Sequence, residues 1–237
     1  MNNEIPFDWY NRLISTGELP TRKEVIDTVS ENGSWWSSNN VDDWWNNSLA
    51  KTMCRTNYVH QYSFPLITQE VANDMANFLL GKRVLEVCAG NGYIAKCITD
   101  INSDMKSNVK FICTDNYSWE GNEADTDTSF GNWSNHFYPV EKLDSVEAIN
   151  KYHNEIDFVM VSWPPYSEPV AYEILKKCIE YKLPLIYIGE DWGGCTGDDR
   201  FFELISDKCI MESSIITNNY IPFEGIHDRI YVIKIKE

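Results

Sequence analysis

VLEVCAGNG, Val84 to Gly92, is a β-rich apolar run that breaks into two closely spaced glycines. Arg83 to Ala89 is read as a strand, and the chain turns through Gly90 and Gly92 into a helix near Tyr93 to Thr99. Such a bend lets backbone approach a bound group with no Cβ in the way, and it aims a helix N-terminus at that group. The stretch therefore predicts a ligand-binding α/β unit, and the rest of the chain is read outward from it.

Upstream, ITQEVANDMANFLLGK (67–82) has apolar residues at helical spacing and closes on Gly81. Downstream, Val109 to Thr114 is an apolar run ending at Asp115, and 116–133 reads as a long polar, acidic and aromatic excursion. A short strand near Phe137 to Val140, a helix over Ser145 to Tyr152 and a strong strand at Ile156 to Ser162 follow. The alternation repeats with a helix at Val170 to Tyr181, a strand at Pro184 to Gly189 and, after GGCTGDD, a helix at Asp199 to Ser206. TNNYIPFEGIHD joins the last apolar runs, Ile210 to Ile216 and Arg229 to Ile235, and is too short for a helical crossover, so these two should pair antiparallel. The prediction is an α/β fold: a doubly wound, mostly parallel seven-stranded sheet with a C-terminal antiparallel hairpin, binding ligands beyond the carboxyl ends of its strands.

Residues 1–59 read as a helical or irregular extension, and residues 60–237 as the Rossmann-like core domain. Five of the nine tryptophans lie in the extension. The pairs Trp35–Trp36 and Trp44–Trp45 read first as packing, and second as an aromatic wall over a pocket.

A chain of 237 residues with 43% hydrophobic residues supports one sizeable core. No apolar run is long enough for a bilayer, and MNNEIPFDWYNRLI lacks the basic and apolar halves of a leader, so a soluble cytoplasmic protein with no membrane partner is expected. Seven cysteines without a CxxC pair predict free, buried thiols, and their spacing with the four histidines predicts no metal. With 36 acids against 20 bases the net charge is −16, which argues against duplex nucleic acid as a partner.

Gly90-Asn91-Gly92-Tyr93-Ile94-Ala95 also satisfies the GxGxxA dinucleotide fingerprint, with Asp115 near the ribose distance. Glu86 tips the balance, because a carboxylate four residues before Gly90 would repel a pyrophosphate and attract a cation. Two further segments belong at the same sheet edge: Ser162-Trp163-Pro164-Pro165-Tyr166 after the fourth strand, and GEDWGGCTGDD (189–199) after the fifth.

With the closing hairpin, these segments resemble class I S-adenosylmethionine-dependent methyltransferases over roughly residues 60 to 237. The resemblance implies S-adenosylmethionine as cofactor, its methionine part cradled by Glu86, Cys88, Gly90 and Gly92, its ribose held by Asp115, and its adenine near Asp144 and Ser145. Cys88 stands where that family often has its first glycine. SWPPY is similar to the Asp/Asn/Ser-Pro-Pro-aromatic motif of enzymes that methylate amino or amide nitrogens. There the first side chain and the first proline carbonyl accept hydrogen bonds from the target nitrogen, which would place Ser162, Trp163, Pro164, Pro165 and Tyr166 at the acceptor site. Trp163, a donor only, occupies the polar acceptor's place. Glu190 or Asp191 could orient or deprotonate the acceptor if desolvation raised its pKa, and Asp191 is the residue taken for that role.

Each position also has a plainer reading. Glu86 could be a strand-end acid, Asp115 and Asp144 could cap turns or helices, WPPY could be a rigid loop, and the acids of 189–199 could cap the next helix. Two other functions stay open at this stage: an inactive binding or regulatory module with the same fold, and a nicotinamide-dependent oxidoreductase. Small molecule, peptide and base all remain as acceptor.

Overall fold

The computed structural model describes residues 7–29, 41–105, 109–119, 135–166, 168–213 and 216–236; the side chains of 41–47, 102–105 and 217 lie outside that description. Trp35, Trp36, Trp133 and most of the acidic excursion are outside the described residues, as are the side chains of Trp44 and Trp45.

Four helices precede the sheet: α1 (Asp8–Thr16), α2 (Arg22–Thr28), α3 (Val41–Gln61) and α4 (Gln69–Phe78). Then come β1 (Arg83–Val87), α5 (Tyr93–Met105), β2 (Lys110–Asp115), β3 (Val140–Lys142), α6 (Ser145–Tyr152) and β4 (Phe158–Ser162). The chain closes with α7 (Val170–Tyr181), β5 (Leu185–Gly189), α8 (Asp199–Lys208), β6 (Cys209–Glu212) and β7 (Arg229–Ile235).

The seven strands form one sheet in the order β3-β2-β1-β4-β5-β7-β6. Neighbours among β1 to β5 pair in parallel, while β7 is antiparallel to both β5 and β6. This is the α/β sheet with a closing antiparallel pair that the strand pattern predicts. A dinucleotide-binding sheet runs 3-2-1-4-5-6; here an antiparallel strand is wedged between the fifth and sixth positions.

Successive strand residues point to opposite faces, and the two cores divide accordingly. Val84, Met160, Ile186, Ile188 and Val232 join one cluster with α1, α4 and α5, whereas Leu85, Val159, Val161, Tyr187 and Ile233 join the other with α6, α7 and α8. Phe7, Trp9, Leu13 and Val25 belong to the first cluster, so the N-terminal helices cover a face of the sheet. The division placed at residue 59 falls inside α3.

Some boundaries differ from the sequence reading, for local reasons. Pairing of β3 starts at Val140 because Pro139, with no N–H, cannot join the ladder, and Phe137 and Tyr138 pack against the core instead. The first core helix continues past Thr99 to Met105, with an i,i+4 ion pair between Lys96 and Asp100 on its polar face. All seven cysteines are free; Cys195 is exposed and Cys88 half-buried, so burial is not general among them. Among the described residues no helix is long and apolar enough to cross a membrane, and no three His, Cys, Asp or Glu side chains gather as a metal site.

Candidate active site at the carboxyl edge of the sheet

The carboxyl ends of β1, β2 and β4 carry three of the four non-glycine residues with positive φ among the described residues: Cys88 at 54°, Tyr117 at 56° and Trp163 at 49°. For a bulky side chain this is a costly conformation, and such strain collects where a fold builds a site. Cys88 follows β1 directly, and a left-handed residue is what a glycine would supply at no cost. Cys88→Gly is therefore expected to raise stability by about 1 kcal/mol, read from the denaturant midpoint; a lower midpoint would show that the thiol's packing outweighs the strain.

Gly90 and Gly92 follow with φ of 57° and 74°. A Cβ on Gly92 would stand 2.7 Å from the Cβ of Tyr138, so the bend is tight because the chain leading into β3 lies against it. The N–H of Gly90 donates to Asp115 Oδ2 at 2.8 Å, which locks the bend to the end of β2.

Glu86 sits beneath the bend, 1% exposed. The Cys113 thiol donates to its Oε2 at 3.5 Å, and no cation pairs with it among the described residues. Burial pushes its carboxyl up to about 8, opposed by hydrogen bonds from Cys113 and the Ala95 N–H and helped by the charge of Asp115. Glu86, Cys88, Asn91 and Ser162 line a cleft of about 30 Å³, the room of one water, walled by Tyr62, Ser63 and Phe64. The Ser162 hydroxyl is buried there with no partner among the described residues.

Asp115 accepts from the backbone of Gly90 and Tyr117 and from the Trp119 indole at 3.0 Å, three of the roughly four bonds a carboxylate can take. Asp144 caps α6, accepting from the Val146 N–H at 2.9 Å, and is exposed, while its neighbour Ser145 is buried.

The segment Ser162 to Tyr166 runs from the end of β4 towards the loop after β5. Trp163 donates its backbone N–H to Ile188 and its indole N–H to Asp228 Oδ2 at 2.8 Å, and it stacks on Phe64 at 5.2 Å between ring centroids. The carbonyl of Pro164, a buried residue, accepts from the Gly197 N–H at 3.2 Å, and Pro165 bridges Thr196, so the loops after β4 and β5 are stitched together. Tyr166 is 51% exposed and Trp192 projects from the adjoining loop.

Glu190 serves as a clasp. Its carboxylate accepts from the backbone of His227 at 2.9 Å and of Cys195 at 2.6 Å, tying the loop after β5 to the approach to β7. Burial raises its pKa, but the N–H donors of His227 and Cys195 more than offset that and the net shift is downward, opposite to the raised base expected from its loop position. Asp191 is exposed and accepts from the Trp192 N–H at 2.8 Å.

Two residues here carried no motif. Asp228 is 2% exposed, accepts from Trp163 and from the Tyr220 hydroxyl at 2.7 Å through Oδ2, and holds Oδ1 buried with no partner among the described residues. Phe64 joins the two half-sites, lining the Glu86 cleft with one face of its surroundings and stacking on Trp163 with its ring.

No protein-family model matches the sequence, and no curated protein matches it. Among solved structures it is similar to TrmN from Thermus thermophilus, at 12% identity and TM-score 0.43 over 71% of this chain and 48% of that one. It is similar also to precorrin-6y C5,15-methyltransferase from Geobacter metallireducens, at 11% identity and TM-score 0.43 over 77% and 96%. A third is a TehB-like SAM-dependent methyltransferase from Corynebacterium glutamicum, at 15% identity and TM-score 0.38 over 70% and 88%. The chain spans about half the length of the TrmN structure. At such identities function has to be read from this chain's own side chains.

Proposed function

We propose that this protein is an S-adenosylmethionine-dependent methyltransferase acting on a nitrogen of a planar acceptor. The observation that carries the reading is Glu86: a buried carboxylate under a glycine bend, with no cation paired to it among the described residues. Its negative form suits a sulfonium or ammonium and opposes the pyrophosphate of a nicotinamide dinucleotide. The unpartnered Ser162 hydroxyl in the same cleft adds a polar contact for the methionine part, and Asp115 has one acceptor position left for a ribose hydroxyl. A cleft the size of one water admits such a ligand only if Tyr62, Ser63 and Phe64 give way.

Bound there, the cofactor supplies an electrophilic methyl group. The chain's work is alignment and exclusion of water. Trp163 cannot accept a hydrogen bond, but its indole holds Asp228, whose free Oδ1 provides the acceptor that the motif's first side chain would otherwise be. The Pro164 carbonyl, with one lone pair on Gly197, keeps another for the same N–H group. Tyr166, exposed beside them, offers a face for a planar ring. Tyr166→Ala is expected to lower turnover about tenfold or more while cofactor affinity stays within a factor of about two; equal loss of both would remove Tyr166 from the acceptor site.

The test is transfer of tritium from methyl-labelled S-adenosylmethionine into a cell extract separated into small molecules, nucleic acid and protein. Label in one fraction, on nitrogen by chemical degradation, is the expected result. Binding of the cofactor without label in any fraction would favour a regulatory module.

A further inference from the structure

A second polar cleft, of about 260 Å³, opens between one face of α3 and the loop before β7. Ser48, Lys51, Thr52 and Arg55 recur at helical spacing along that face, opposite Phe223 and Glu224. The N–H of Glu224 donates to the Val29 carbonyl at 3.0 Å, so the far wall is fastened to the end of α2.

Among the described residues that line this cleft there are two cations and one carboxylate. Lys51 is 4% exposed and pairs with Glu224 at 3.0 Å, the one carboxylate among the described residues that line the cleft. Arg55, half-buried, makes no hydrogen bond or ion pair among the described residues. Burial draws its pKa down, and the carboxylates of Asp228 and Glu190 act on it only through space. A guanidinium carries five donors and is costly to desolvate unpaired, and its fork matches a tetrahedral oxyanion. In a chain of net charge −16 a guanidinium in a concave site, with no carboxylate bonded to it among the described residues, stands out.

We propose that the Lys51–Arg55 cleft is a phosphate-binding subsite, and that it holds a phosphoryl group of the methyl acceptor. Phe223 and Glu224, which wall the cleft, lie between Tyr220 and Asp228, the pair joined by the hydrogen bond to Oδ2, so the subsite and the proposed acceptor site share the loop before β7. Only the assignment to the acceptor rests on the methyltransferase reading; the anion site does not.

The test uses the full chain without cofactor, so that its failure is separate from failure of the methyltransferase reading. Inorganic phosphate is titrated and followed by phosphorus NMR line broadening, with chloride at matched ionic strength as control. Saturable binding in the millimolar range is expected, weakened about tenfold or more in Arg55→Gln and less in Arg55→Lys, which keeps the charge without the fork. Binding no better than chloride, or unchanged in Arg55→Gln with a native circular dichroism spectrum, would overturn the site; should Arg55→Gln not fold, unchanged binding in Arg55→Lys overturns the guanidinium's part. Phenyl phosphate against phosphate then separates the sources: tighter binding of the ester supports an acceptor group, and equal or weaker binding overturns that assignment and leaves a site for free anion.

Discussion

Glu86→Gln is expected to weaken S-adenosylmethionine binding about a hundredfold or more and, at the same time, to stabilise the unliganded protein. Removing one partner of a buried charge pair typically costs about 3–5 kcal/mol, which is the origin of the first effect. The second follows from linkage. The folded carboxyl titrates near 8 against an ordinary 4.5, so between those values the folded state holds a proton that the unfolded state has released. Stability from this group is full below 4.5 and is lost as pH rises towards 8, at about 1.4 kcal/mol per pH unit. Glutamine has no proton to lose, so the variant's unfolding free energy should be flatter across that window and, near neutral pH, roughly 2–4 kcal/mol higher. Chemical denaturation at several pH values checks it. A variant that binds the cofactor as the parent does would mean that Glu86 is only a strand-end acid.

Asp228→Asn is expected to lower methyl transfer by about a hundredfold or more, with cofactor affinity within a factor of about three. Asparagine keeps an oxygen for the donors Trp163 and Tyr220, but this turns its amide NH2 to the place of the free Oδ1. An acceptor becomes a donor facing the target N–H. Burial pushes the Asp228 carboxyl up to about 6, with the Tyr220 and Trp163 hydrogen bonds opposing. Parent turnover should therefore fall as pH drops through about 6, and any residual activity of the variant should lose that limb. Because the folded pKa is raised above 3.8, the group's contribution to stability is lost between 3.8 and about 6, and the variant should be no less stable than the parent at neutral pH. Unchanged turnover with an unchanged pH profile would reduce Asp228 to a structural anchor for Trp163.

The fold was legible because strands buried on both faces read as continuous apolar runs, and Ile156 to Ser162 and Arg229 to Ile235 leave little choice. Short β3 was misplaced by a few residues, since the same aromatic run that looks β-prone is packed as loop up to Pro139. The glycine bend after Glu86 and the SWPPY segment are visible in the sequence, because each is carried by a single turn after one strand. Asp228 could not: it meets Trp163 across 65 positions of chain, and one acid in a loop is indistinguishable among 36. Arg55 and Phe64 were hidden for the same reason, lying in or just after a helix whose neighbours only the folded chain brings near. The carboxylates of the loop after β5 looked alike in sequence, yet Glu190 is fixed by two backbone donors and Asp191 faces water.

Calorimetric titration of the purified protein with S-adenosylmethionine across neutral to mildly alkaline pH tests the account most directly. Only the ionised Glu86 receives the cation, so affinity should rise about tenfold per pH unit up to about 8, with release of a proton on binding. A properly folded protein that takes up no cofactor at millimolar concentration, or binds it with no change across that range, would contradict the account.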